Sequence, residues 1–134
     1  MELKKSYRGF VLLMLLFVAG MVAVILLPVE DGGALTRLLL GWTSLFVALM
    51  TFVIWRTEQV YWYNGTEYEA AVEAGSERRR AFAWRHFRVF GWYALGYIAF
   101  SCAMHLTGVP WWIDIIVFGV GLCAAAVSTV SFKL

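Results

Sequence analysis

The side chains that could bind a metal ion or carry a proton lie near the ends of long apolar stretches of this sequence. His, Cys and carboxylate side chains are the residue types that ligate transition metals. The candidates are Glu30, Asp31, Cys102, His105 and Asp114. No H-x-x-x-H or C-x-x-C spacing connects them, so the sequence predicts no metal site and no cofactor. Glu30, Asp31, Arg37, His105 and Asp114 are instead expected to form a loose polar cluster, in which Asp114 caps its helix or pairs with Arg37.

Sequence motifs of catalysis do not occur in this chain. There is no G-x-S-x-G, no H-E-x-x-H and no glycine-rich phosphate-binding loop. Cys102 and Cys123 fall in apolar stretches, where an unpaired cysteine packs as a small hydrophobe, although a disulfide between neighbouring helices is the other interpretation. We therefore expect no catalytic residue and no enzymatic activity.

Small residues recur at helical spacing in two of the apolar stretches. Residues spaced three or four apart share one face of a helix. The two sets are Gly41, Ser44, Ala48 and Thr51, and Gly121, Ala125 and Thr129. Small residues let helices approach closely in lipid, so the pattern favours helix packing within one chain or between copies. The other interpretation is a pore or substrate path lined by the hydroxyl groups of Ser44 and Thr51.

Arginines are interleaved with aromatic residues just before the third apolar stretch. The set comprises Arg78, Arg79, Arg80, Arg85 and Arg88, with Trp84 among them. Cations at a membrane surface attract anionic head groups, with about 1 kcal/mol per charge. The run therefore indicates topology anchoring, lipid binding or docking of a partner protein. A nucleic acid is not expected, because the formal net charge is only +2.

The elements that must position these residues are four apolar segments. The chain is 62% hydrophobic and 15% charged, against roughly 25% charged residues in soluble domains. A hydrocarbon core about 30 Å thick is crossed by about 20 helical residues. The predicted spans are about 9–28, 36–56, 88–107 and 111–132, within a single domain that covers residues 1–134. We expect an all-α fold, an integral membrane four-helix antiparallel bundle with a helical arm, residues 57–87, between helices 2 and 3.

The distribution of Lys and Arg predicts the orientation of these spans. Lys4, Lys5 and Arg8 precede the first apolar run, which is longer than the 7–15 residues of a signal-peptide core, so we expect a retained anchor. With the N-terminus inside, every Lys and Arg except Arg37 falls on the cytoplasmic side. The sequence therefore predicts a multi-pass protein of the plasma membrane with both termini in the cytoplasm.

The arm contains signals for two helices separated by a break. Asn64-Gly65 indicates a turn, and Thr66 with Glu69 forms a capping box, so a short helix is predicted to begin at Thr66. Gly75 is expected to end it. Ser76 is then expected to cap a long helix from about residue 77 to residue 106.

These features predict a non-enzymatic scaffold or accessory subunit that acts through helix packing and through the basic and aromatic arm. Its expected partners are membrane lipids and either copies of itself or a larger membrane protein. The alternative is a small oligomeric transporter or channel lined by the face that carries Ser44 and Thr51.

Overall fold

The computed structural model describes residues 2–63 and 65–134, so half of the turn predicted at Asn64-Gly65 lies outside the described residues. The chain forms α1 (Arg8–Ile25), α2 (Gly32–Thr57), α3 (Tyr68–Leu106) and α4 (Trp111–Val130), with a short 3₁₀ helix at Val60–Trp62. The described residues contain no strand. All four α-helices are long and apolar enough to cross a membrane. The fold is therefore all-helical, as predicted.

The first two helices begin and end at residues that explain their bounds. α1 ends at Ile25 rather than near residue 28, since Pro28 disfavours helical backbone at the residue before it. α2 begins at Gly32, because the Asp31 carboxylate accepts hydrogen bonds from the backbone N–H groups of Gly33 and Ala34 at 3.0 and 3.2 Å. Asp31 was expected in the polar cluster with Arg37. It is instead the N-cap of α2.

The arm differs from the predicted pair of capped helices. α3 runs from Tyr68 and is interrupted only at Gly75, where φ is 76° and ψ is 165°. That backbone conformation is essentially restricted to glycine, so the break falls at the predicted residue. The capping box is wrong, since the extended residue before the helix is Glu67 and its side chain makes no capping hydrogen bond. Ser76 does not cap either: among the described residues its oxygen accepts no hydrogen bond from a backbone N–H, and its hydroxyl donates to Glu58.

α2 is the central helix and contacts α1, α3 and α4. α1 packs on it through rings: the centroids of Phe17 and Phe46 are 4.8 Å apart, and Trp42 Nε1 donates to the Phe17 carbonyl at 3.1 Å. Gly20 leaves room for the Trp42 indole, which occupies the place where a Cβ atom would lie. Leu13 is the buried residue of α1, and most of that helix is exposed.

The main hydrophobic core lies at one end of the helices rather than at their middle. It consists of Ile54, Val60, Tyr61, Ala71, Phe82 and Ala83. We call this the arginine-rich end, which carries residues 2–7 and 58–88. The other, the Arg37 end, carries the start of α2, the end of α3 and the start of α4. A core at the arginine-rich end holds the first turns of α3 against the 3₁₀ helix and so fixes the positions of the arginines.

Candidate functional site: polar clusters at the two helix ends

A buried ion pair organises the arginine-rich end. α2 ends at Thr57, and Glu58 follows in left-handed backbone with φ 60°. The Glu58 carboxylate accepts from Arg79 Nη2 at 2.8 Å and Nε at 3.2 Å, and from the Ser76 hydroxyl at 2.7 Å. Arg79 Nη1 also donates to the Ala71 carbonyl at 3.0 Å, so the pair joins both sides of the Gly75 break to the end of α2.

Both members of this pair are removed from solvent. The side chains of Arg79 and Glu58 are each 4% exposed. Burial raises the pKa of Glu58, but hydrogen bonds from Ser76 and Arg79 and the charge of Arg79 outweigh that effect and hold the pKa below its usual value. Glu58 is therefore a carboxylate at neutral pH. Arg79 was expected at the surface with the other arginines. It is a buried structural residue instead, because its positive charge compensates the buried carboxylate of Glu58.

The other arginines remain exposed on the same part of α3. Together with the half-exposed Trp84 they form what we call the arginine surface: Arg78, Arg80, Arg85, Arg88 and Trp84. Trp84 is fixed by Trp55 of α2 and by Phe87, with ring centroids 5.0 and 5.5 Å away. The surface therefore presents four cations around an aromatic residue whose position α2 and α3 determine together.

The N-terminal residues pack on the aromatic side of the arm. The backbone N–H of Ser6 donates to the Tyr61 hydroxyl at 2.7 Å, and that hydroxyl donates to the Ser6 carbonyl at 2.9 Å. Trp62 Nε1 donates to the same carbonyl at 3.1 Å, and the Tyr68 hydroxyl donates to the Leu3 carbonyl at 2.8 Å. No motif in residues 2–7 predicts this contact, and the one sequence feature that accompanies it is the aromatic run Tyr61-Trp62-Tyr63. Lys4, Lys5 and Arg8 are consequently exposed at the same end as the arginine surface.

His86 is a packing residue of this end. Its ring stacks on Tyr63 at 4.3 Å and meets Phe132, from the C-terminal segment, edge-on at 5.2 Å. Its Nδ1 atom lies 3.0 Å from the Phe82 carbonyl oxygen, which can only accept a hydrogen bond. The Tyr63 hydroxyl is buried, and burial raises its pKa above the usual value. The cluster therefore joins the C-terminal segment to α3.

A second polar cluster lies at the Arg37 end. Arg37 Nε donates to Asp114 Oδ1 at 3.1 Å, and Ser101 donates to Asp114 Oδ2 at 2.6 Å. Arg37 Nη2 donates to the Val109 carbonyl, and Nη1 lies 3.4 Å from His105 Nδ1. Arg37, His105 and Asp114 thus come together, and Asp114 pairs with Arg37 rather than capping α4.

The remaining members of the predicted polar cluster lie elsewhere. Glu30 is exposed in the loop before α2, and Asp31 caps that helix. Cys102 and Cys123 are free thiols on exposed helix positions. Within residues 2–63 and 65–134, no three His, Cys, Asp or Glu side chains are grouped in a way that could hold a metal ion.

The small-residue faces pack inside the fold at several positions. Ser44 and Thr51 are 0% and 1% exposed, and their hydroxyls donate to the Gly41 and Ala48 carbonyls of their own helix at 2.9 and 2.8 Å. On α4, Ala125 is buried, Gly121 lies against the Tyr93 ring, and the Thr129 hydroxyl donates to the Ala126 carbonyl at 2.7 Å. Gly41 is different, because a Cβ atom there would meet open space.

Comparisons of this chain with protein-family models, curated proteins and solved structures find no significant match.

Proposed function

We propose that this chain is a small non-enzymatic protein of the plasma membrane, a scaffold or accessory subunit that binds its partner through the arginine surface. In this proposal the four helices form an antiparallel bundle across the bilayer, with both termini in the cytoplasm. The partner is a second copy of the chain or a larger membrane protein. The observation that supports the proposal is that Arg78, Arg80, Arg85 and Arg88 stand on a rigid base, since the buried Glu58–Arg79 pair and the core beneath it hold that part of α3 in place.

Exposed apolar surface supports membrane insertion. Large aliphatic side chains of α1 and α4 are exposed along the length of both helices, among them Leu12, Leu15, Val120 and Val127. Contiguous apolar surface of this kind is unfavourable in water and is typical of contact with lipid or another protein. The exposed cations gather at the arginine-rich end, while Arg37 at the other end is paired with Asp114, which agrees with the cytoplasmic orientation proposed here.

Burial of the two hydroxyls makes the alternative of a transporter or channel the weaker candidate. A path lined by Ser44 and Thr51 requires their hydroxyl groups to face water or a substrate. Both side chains are buried between helices and bond to their own backbone. Such hydroxyls serve close helix packing, which a scaffold also requires.

The test of the scaffold function removes two cations from the arginine surface. The variant Arg78→Gln/Arg80→Gln retains both Glu58 and Arg79 and removes only a long, half-exposed contact of 3.9 Å between Arg80 Nε and Glu58 Oε1. The control, Lys4→Gln/Lys5→Gln, removes the same charge from the same end. After extraction in a mild detergent, native mass spectrometry should show wild-type protein as an oligomer or bound to one membrane protein. The arginine variant should lose that assembly with an unchanged helical signal, and the lysine variant should keep it. A wild-type chain that carries only lipid, or an arginine variant that assembles normally, would contradict the proposal.

The orientation has a separate test in intact cells. Two single-cysteine variants are made in a chain that carries Cys102→Ala and Cys123→Ala. Glu30→Cys reports which side of the membrane the Arg37 end faces, and Arg78→Cys reports the side of the arginine-rich end. A membrane-impermeant maleimide should label position 30 before lysis and position 78 only after it. Labelling of position 78 in unbroken cells would reverse the proposed orientation.

A further inference from the structure

We propose that a cavity between α2 and α3 at the Arg37 end binds one acyl chain of a membrane phospholipid, whose ester carbonyl accepts hydrogen bonds from Arg37 and His105. This site is distinct from the arginine surface and lies at the opposite end of the helices. It requires the membrane insertion proposed above but not the scaffold function.

The cavity has the size and the lining of a site for an apolar ligand. Its volume is about 410 Å³, within the range of about 300–1,000 Å³ that ligand pockets occupy. Leu38, Trp42, Leu45 and Ile98 form apolar walls. Gly41 leaves the space between them open, because its missing side chain would meet no atom within 4 Å.

The polar and apolar parts of the cavity follow the order of a lipid molecule. Arg37 lies near the start of α2 and His105 near the end of α3, so both line the cavity close to the Arg37 end of the helices. Leu45 is eight residues further along α2 and Ile98 is seven residues before His105 on α3, which places them about 12 and 10 Å deeper. Hydrogen-bond donors therefore stand where the ester region of a lipid begins, and hydrocarbon follows toward the middle of the helices.

The guanidinium of Arg37 is held in place with donors remaining. Arginine carries five N–H groups. Contacts among the described residues use three of them, to Asp114, the Val109 carbonyl and His105, so two remain. The Arg37 side chain is 11% exposed and lines the cavity, whereas Asp114 lies behind it and is fully buried. Because Asp114 balances the charge of Arg37, the site suits a neutral acceptor such as an ester carbonyl better than a free carboxylate or phosphate.

The rim of the cavity explains how a bilayer lipid enters. Leu38 and Leu45 are 44% and 50% exposed, and Cys102 on the facing side is exposed too. The cavity is therefore open along the helix surface that faces hydrocarbon in the proposed membrane arrangement. One acyl chain of a phospholipid can lie in it while the second chain stays in the bilayer.

Photolabelling in vesicles tests this site. The protein is reconstituted in phosphatidylcholine that contains a small fraction of phosphatidylcholine with a diazirine in the middle of one acyl chain, and labelled peptides are mapped after irradiation. In wild-type protein the label should concentrate on residues 38–45 and 98–105. Gly41→Leu fills the cavity and should lower this labelling about tenfold, which corresponds to only about 1.4 kcal/mol of lost contact energy.

Matched variants make the outcome unambiguous. Gly119→Leu adds the same side chain at another open helical glycine away from the cavity and should change nothing. Cys102→Trp blocks the exposed rim and should repeat the loss if Gly41→Leu does not fold. Label spread evenly over the apolar helices, or unchanged by both blocking variants, would overturn the proposal. Stronger displacement by oleic acid than by methyl oleate would also overturn it, since the two share one chain and differ only in the free carboxylate. Arg78→Gln/Arg80→Gln should label like wild type, which separates this test from that of the scaffold function.

Discussion

Glu58 and Arg79 are separated by 21 residues, yet Arg79 Nη2 lies 2.8 Å from Glu58 Oε2 in an interior that solvent barely reaches. Glu58 follows the last residue of α2, and Arg79 stands one turn beyond the Gly75 break in α3. The pair therefore connects the end of α2 to the part of α3 that follows the Gly75 break. A buried pair of this kind is costly to break, because removing one member leaves the other charge without compensation.

Removal of the carboxylate charge should destabilise the arginine-rich end. Glu58→Gln leaves Arg79 buried without its counter-charge, so we expect the free energy of unfolding to fall by about 3–5 kcal/mol. Denaturant titration in detergent, followed by circular dichroism, measures this. Glu73→Gln changes an exposed carboxylate on the same helix and should stay within about 0.5 kcal/mol of wild type. A Glu58 variant as stable as the Glu73 variant would mean that the pair contributes nothing.

The same carboxylate should make stability depend on pH in the acid range. The pKa of Glu58 is lowered in the folded protein from an ordinary value of 4.5. A lowered folded-state pKa means that the stabilisation is complete above the unfolded value and is lost as the pH falls through the folded value. Melting curves between pH 7 and pH 3 should show wild type losing stability below about pH 4.5. Glu58→Gln should lack that component; two parallel pH profiles would contradict the assignment.

Gly75 should resist substitution although nothing crowds it. Its φ of 76° and ψ of 165° are strained for any residue with a Cβ atom, so Gly75→Ala should lower stability by about 1–3 kcal/mol. Gly96→Ala lies at an open, regular helical position of the same helix and should be neutral or stabilising, since alanine is the better helix former. Thermal unfolding of the two variants side by side measures the difference. Equal melting temperatures would show that the break at Gly75 is not required.

The Tyr61 hydroxyl should hold the N-terminal segment in place. It bonds to both the N–H and the carbonyl of Ser6, so Tyr61→Phe should cost about 0.5–1.5 kcal/mol and speed exchange of the Ser6 amide hydrogen. Hydrogen–deuterium exchange of residues 3–6 detects this directly. Tyr7→Phe keeps the ring contact with Tyr61, at 5.4 Å, and provides the control. Similar exchange in both variants would mean that the hydroxyl is not the anchor.

Arg37 and Asp114 should show strong coupling in a double-mutant cycle. Asp114→Leu leaves the guanidinium without its buried partner and should cost about 3–5 kcal/mol. Adding Arg37→Leu should restore part of that loss, because no unpaired charge remains. Asp31→Asn removes a negative charge from the same end of the helices but retains the N-cap and should be close to neutral. Additive effects of the two leucine substitutions would show that the pair is not a coupled unit.

The elements of the fold could be predicted from sequence because their signals are local. Uncharged apolar runs long enough to form membrane-spanning helices indicated all four helices, and glycine indicated the break in α3. The caps were less predictable: Thr66 matched a motif, yet the helix begins two residues later. Asp31 could have been identified as an N-cap from the sequence, since aspartate is a preferred N-cap residue and Asp31 stands directly before the first residue of α2.

The partners of the charged residues could not be predicted in the same way, since they depend on how distant segments pack. Nothing in the run Arg78-Arg79-Arg80 distinguishes its middle member by type. The position of Arg79 on the helix does distinguish it. Phe82, Ala83 and His86 follow Arg79 by three, four and seven residues, so they share its face of α3, and all three are buried. The left-handed backbone of Glu58, which ends α2 without a glycine, left no comparable signal.

Translation produces Arg37 long before its counter-charge, because Asp114 lies 77 residues later in the chain. α4 therefore completes the charge balance of α2. A nascent chain that stalls before α4 lacks the carboxylate that pairs with Arg37, so the guanidinium is drawn toward water instead of being fixed between helices. The bonds through which Asp114 joins Arg37 of α2 to Ser101 of α3 can consequently form only after α4 has been synthesised.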